Sequence, residues 1–123
     1  MKAKYKFEPD PFTYVNFIKL YISIQSDVET KRKYVDAILR EALTRGFKED
    51  IYQIMFNVII DKFCVLKDQD SIIYYINLMR KSNIPENAAT FVPLMNFYLK
   101  ENNLKLATDI CKVLFLNFLL TVV

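Results

Sequence analysis

Cys64 and Cys111 are the only thiols in the sequence, and no histidine accompanies them. A structural zinc site draws on four Cys or His ligands, so two lone cysteines cannot build one. Both sit among apolar residues at helical spacing, which predicts buried, reduced thiols and fits a reducing compartment. Asp61, Asp68 and Asp70 are the nearest thing to a carboxylate cluster. Asp68 and Asp70 lie in the polar stretch "KDQD", expected to be a turn, with Asp61 on the preceding helix. No imidazole is available for acid–base work near neutral pH. With one glycine, Gly46, the chain has no glycine-rich phosphate loop. The expectation is a protein that is not an enzyme, holding neither metal nor cofactor.

The composition says what such a chain can be instead. Its 123 residues suffice for one domain with a moderate core. The hydrophobic fraction of 53% and aromatic fraction of 15% are far from those of disordered chains. One glycine and four prolines are too few breakers for an all-β chain and fit long helices joined by short links. The net charge of +3 is spread over mixed signs, which permits an anionic partner without demanding one. Lys31, Arg32 and Lys33 form the densest basic spot and read as a solvated helix face. The N-terminus "MKAKYKFEPD" lacks the apolar segment of a secretory signal. The final stretch "VLFLNFLLTVV" is apolar nearly all round but too short to span a bilayer; it reads as a helix whose partner is missing, either because the chain is a fragment of a longer repeat array or because the helix docks onto a neighbour.

The chain also repeats. Sliding "FNVIIDKFCVLKDQDSI" by 35 residues lays it over "FVPLMNFYLKENNLKLA" without a gap. Ile59 then meets Leu94, Ile60 meets Met95, Phe63 meets Tyr98, Ile72 meets Ala107, Tyr75 meets Ile110 and Met79 meets Leu114. Phe56, Ile59, Ile60 and Phe63 follow the i, i+3, i+4, i+7 pattern of an amphipathic helix, as do Ile72, Tyr75, Ile76 and Met79. A third, earlier copy opens at Tyr14, 42 residues before Phe56. Its second helix should be capped by Ser26 or Asp27, carry Tyr34, Ile38 and Leu43 inward, and stop near Gly46. Pro85 should end the second unit. Pro93 is awkward for a helix starting at Ala88, so that helix should begin late, with Thr90 as its cap, or bend. The fold class is all-α: an α-solenoid of about three helix-turn-helix repeats in a single domain, at residues 12–50, 53–87 and 88–120.

The unit resembles the pentatricopeptide repeat. That family's Tyr-Asn-x-Leu-Ile-Asp-x-Tyr-Cys opening stands here as "FNVIIDKFC" at residues 56–64, and its Met-Lys-x-x-Gly-Ile as "MRKSNI" at residues 79–84. Asn83 replaces the glycine and is the other residue that tolerates a left-handed backbone. The resemblance implies stacked hairpins whose first helices line a groove for single-stranded RNA, one unstacked base per unit. It assigns base reading to the residue after the first-helix aromatic and to the last residue of the unit. Asn57 and Asn87 hold those places in the second unit, and an Asn pair there favours a pyrimidine. Val15 and Val92 replace Asn57 in the outer units, and Tyr52 ends the first. Phe12, Ile54 and Ala89, two places before each aromatic, would wedge between bases. Lys62, Lys67, Lys100 and Lys105 are either phosphate contacts or an ordinary wet face. Asn57 and Asn87 also have local readings, as a polar residue satisfied near a helix start and as a helix N-cap.

The implied role is an RNA-binding helical-repeat protein of the mitochondrial matrix. It would serve transcript processing, stability or translation, with the ribosome as one setting. The apolar C-terminal helix would add a protein partner, and no segment would span a membrane. The alternative is a protein–protein scaffold of the tetratricopeptide type, favoured by the two valines and the apolar tail.

Overall fold

The computed structural model describes residues 10–24 and 26–122, with side chains described as far as Val113. Those residues form six helices: α1 (Pro11–Ser23), α2 (Val28–Leu43), α3 (Glu49–Val65), α4 (Gln69–Lys81), α5 (Ala88–Lys100) and α6 (Leu104–Val122). No strand occurs among the described residues. The chain is therefore all-α.

Each helix start has a local cause. Asp10 caps α1 by accepting the Thr13 backbone N–H at 2.8 Å, and Pro11 supplies a φ already suited to the first turn. Asp27 caps α2 through the Thr30 N–H at 2.7 Å. These bonds hold the Asp10 and Asp27 carboxyls below the usual carboxylate range, as expected for oxygens accepting N–H and O–H donors. Asp68 caps α4 by accepting from the Ser71 N–H at 3.2 Å. Asp70 therefore belongs to the first turn of α4, not to the turn before it. The α5 N-cap is Asn87 rather than Thr90, and Pro93 sits inside the helix.

The connections turn on left-handed residues. Gly46 and Asn83 follow α2 and α4 with φ of 69° and 60°. Lys67 and Asn102, 35 positions apart, do the same between α3 and α4 and between α5 and α6, with φ of 58° and 60°. A lysine in this region is strained in a way glycine or asparagine is not.

Packing follows a simple order: α1 rests on α2 and α3, α3 on α4 and α5, and α5 on α6. One continuous core runs through them. It includes Ile18 and Ile22 from α1, the whole Phe56, Ile59, Ile60 and Phe63 row from α3, and Ile72, Tyr75 and Met79 from α4. Phe63 stacks on Tyr75 with centroids 5.5 Å apart, fixing α4 to α3. Tyr75 Oη donates to Asp36 Oδ1 at 2.9 Å, tying α4 back to α2. Burial, and then the Asp36 charge, raise the Tyr75 phenol above its ordinary range.

Several expectations are corrected. In α2 the inward residues are Val35, Leu39 and Ala42, while Tyr34 and Leu43 are exposed and Ile38 is half-buried. The basic trio is a solvated face only at Lys33, which is exposed: Lys31 is buried, and Arg32 donates through Nε to Ser71 Oγ at 2.8 Å while lying over the Tyr74 ring. Cys64 is half-buried and Cys111 exposed. Tyr52, expected to end the first unit, lies within α3, which starts at Glu49. The expected boundary at residue 50 thus falls inside a helix. The apolar match at Leu114 and the all-round apolar surface beyond it lie outside the described side chains. No helix among the described residues is long and apolar enough to cross a membrane.

Candidate nucleic-acid interface

Asn57 and Asn87 lie on different elements, the middle of α3 and the cap of α5. The packing of α5 on α3 brings them together. Asn57 Nδ2 donates to Asn87 Oδ1 at 2.9 Å. Thr90 Oγ1 donates to Asn57 Oδ1, and it also lies 3.2 Å from Asn87 Oδ1. The Asn87 backbone N–H donates to Thr90 Oγ1 at 3.1 Å, so Thr90, third in the helix, steadies the cap from within. Gln53 Nε2, one turn before Asn57, donates to the Pro85 carbonyl at 2.8 Å. Arg80 pairs with Glu86 across the same link. The chain between α4 and α5 is thereby pinned at three places.

Asn57 is only 9% exposed, and its amide is engaged at both ends. A buried side-chain amide requires such partners, since an orphaned polar group costs about 1–3 kcal/mol. Asn87 is half-buried. Its Oδ1 accepts from Asn57 and faces the Thr90 hydroxyl, while its NH2 group carries two further donors.

The remaining residues assigned by the resemblance divide. Phe12 is 72% exposed, and Ile54 and Ala89 are exposed as well. Val92 is 42% exposed, whereas Val15 is 8% exposed and belongs to the core. Val15 therefore cannot meet a base in this conformation, because α3 packs against α1. Tyr52 is likewise structural: its Oη donates to the Ala42 carbonyl at 2.8 Å and accepts the Phe47 N–H at 3.0 Å.

The charges near this face are mixed. Lys67, Lys100 and Lys105 are exposed and Lys62 is half-buried. Lys67 and Lys100 share a cleft of about 230 Å³ between α3 and α5 with Asp61 and Glu101, so their charges are offset locally. Cys64 opens on the same cleft, and burial, helped by the Asp61 charge, pushes its thiol up to about 12. It is an unreactive thiol at neutral pH. Among the described residues no group of three metal-ligating side chains comes together.

The sequence reading took Thr90 for the cap itself and missed Gln53. Thr90 had a signal: a threonine three residues after an asparagine cap is the spacing of a capping pair. Gln53 had none, because its partner is a backbone carbonyl on a distant link. No family model, curated protein or solved structure matches the chain.

Proposed function

We propose that the chain is a non-enzymatic module of stacked helical hairpins, an α-solenoid of the pentatricopeptide kind, that binds single-stranded RNA in the mitochondrial matrix. It acts there in transcript processing, stability or translation within a ribonucleoprotein. The observation that supports this reading is the 2.9 Å bond between Asn57 and Asn87. Two residues 30 positions apart, which the resemblance pairs on one base, meet at the junction of two hairpins. Asn57 holds the Asn87 side chain through this bond, and the Asn87 NH2 group would donate to an acceptor on the base edge. Purines and pyrimidines both offer such an acceptor, so the preference for a pyrimidine comes from the resemblance alone. Phe12 adds an aromatic platform; stacking of this kind contributes about 1–3 kcal/mol per base.

Fluorescence anisotropy on short single-stranded RNAs tests the reading. Binding to pyrimidine-rich strands should weaken as salt rises, and Asn87→Ala and Phe12→Ala should each weaken it further. Val15→Ala should lower stability without a selective effect on RNA. Absence of RNA binding, or binding indifferent to both Asn87→Ala and Phe12→Ala, sinks the proposal.

One observation favours a second reading, the tetratricopeptide-like scaffold. Phe12, Ile54, Val65 and Val92 give the exposed side of the first helices an apolar character, and apolar patches of that kind mark protein docking. Recovery of a stoichiometric protein partner by a chain that ignores RNA would select it.

A further inference from the structure

The junction of α3 with α5 holds a chain of hydrogen bonds whose sense is decided by one hydroxyl. Thr90 is fully buried, at 0% exposure. Its Oγ1 already accepts the Asn87 backbone N–H at 3.1 Å. A hydroxyl has one hydrogen, and a buried one must be given to an acceptor. Among the described residues two acceptors lie within reach, Asn57 Oδ1 and, at 3.2 Å, Asn87 Oδ1. Thr108 in α6 differs, since it gives its hydroxyl hydrogen to its own helix, at the Leu104 carbonyl.

Both choices open to Thr90 lead to the same arrangement. A hydrogen given to Asn57 Oδ1 leaves the Asn57 NH2 group to meet Asn87. A hydrogen given to Asn87 Oδ1 fixes that oxygen on the inner side. In either case Asn57 Nδ2 donates to Asn87 Oδ1, as observed at 2.9 Å. Turning both amides over would keep one bond between them, but it would bring NH2 groups to Thr90 from both sides and orphan its hydrogen. The network takes up the Asn87 oxygen and none of the Asn87 NH2 hydrogens.

We infer that Thr90 is a positioning residue that sets the polarity of the Asn57–Asn87 pair. The pair then meets its ligand with donors and takes an acceptor: a carbonyl oxygen or ring nitrogen of a base edge, not an exocyclic amine. Asn57 relays the polarity from the hydroxyl to Asn87. The choice of ligand rests on the RNA-binding reading; the polarity is independent of it.

Two measurements read the polarity without RNA. Asn87→Asp keeps an oxygen where Asn57 donates and removes only the NH2 group, so its urea midpoint should not fall below the parent's. With the pair reversed, the same change would set a carboxylate oxygen against Asn57 Oδ1 and lower the midpoint. Nuclear magnetic resonance of the isotopically labelled chain should show coupling across the hydrogen bond from Asn57 Nδ2 to Asn87 Cγ. That coupling should persist in Thr90→Ser, which keeps the hydroxyl, and be lost or reversed in Thr90→Val. A parent coupling that is absent or of opposite sense overturns the inference, as does a coupling unchanged in Thr90→Val or a lowered midpoint in Asn87→Asp. Should Thr90→Val fail to fold, the parent coupling and Asn87→Asp still decide.

RNA anisotropy separates this inference from the proposed function. Thr90→Ser should bind as the parent does, and Thr90→Val several-fold more weakly. A parent that binds no RNA removes the proposed function and leaves the polarity to the coupling and the midpoint. A parent that binds RNA, with Thr90→Val unimpaired, overturns the role of Thr90 at the site.

Discussion

Asn57 and Val92 follow buried aromatics at matching places in α3 and α5, yet one is sealed and the other open. The difference comes from the neighbour, not from the helix. Where a following hairpin covers the position, a side chain there must either join the core, as Val15 does, or find hydrogen bonds, as Asn57 does with Asn87 and Thr90. Val92, which no described hairpin covers, is 42% exposed. Chemical identity at a repeated position thus has meaning only together with its cover.

The largest test of this contrast is in the core. Phe56→Ala should cost about 3–5 kcal/mol in a urea melt, through lost burial and the cavity left behind. Phe12→Ala, at an exposed aromatic, should stay within about 0.5 kcal/mol. Next comes the sealed amide. Asn57→Ala should cost about 1–3 kcal/mol, since it strips partners from Asn87 and Thr90. Val92→Ala should cost far less; equal costs would mean that Val92 is covered after all. A smaller effect of opposite sign is expected in the turns. Lys67→Gly should stabilise by about 1 kcal/mol by relieving a left-handed lysine, and Asn102→Gly by less, because asparagine tolerates that region. Finally, the two thiols should part in rate without any change in stability. Iodoacetamide at mildly alkaline pH should modify exposed Cys111 well before Cys64, followed by peptide mass mapping. The Cys64 thiol also sets a sign for alkaline unfolding. Its folded value, about 12, exceeds the ordinary 9.0, so the unfolded chain releases that proton first, and stability falls as pH climbs from about 9 toward 12.

How much could be read beforehand varied by element. The α3 row of Phe56, Ile59, Ile60 and Phe63 was legible because its period is unambiguous and all four residues are buried. The Asp27 cap was legible because capping is local. The inner face of α2 was misread because Tyr34, Val35, Ile38, Leu39, Ala42 and Leu43 offer two overlapping apolar stripes, and only the packing against α1 selects between them. Lys31 and Arg32 were misread for a related reason. Long basic side chains lie along apolar surface as readily as they reach into water, and their partners, such as Ser71, are distant in sequence. Of the candidate site, the meeting of Asn57 with Asn87 was implied by the resemblance, but the burial of Asn57 and the part of Thr90 were not.

Tyr52 carries one last consequence. Its hydroxyl bridges the Ala42 carbonyl and the Phe47 N–H, so the exit of α2 is closed by a residue from the first turn of α3. The first two hairpins cannot be parted at the link between them without orphaning a buried carbonyl. A piece ending after α2 leaves that carbonyl without its partner, and it should lose helicity more readily than a piece that runs to the end of α3.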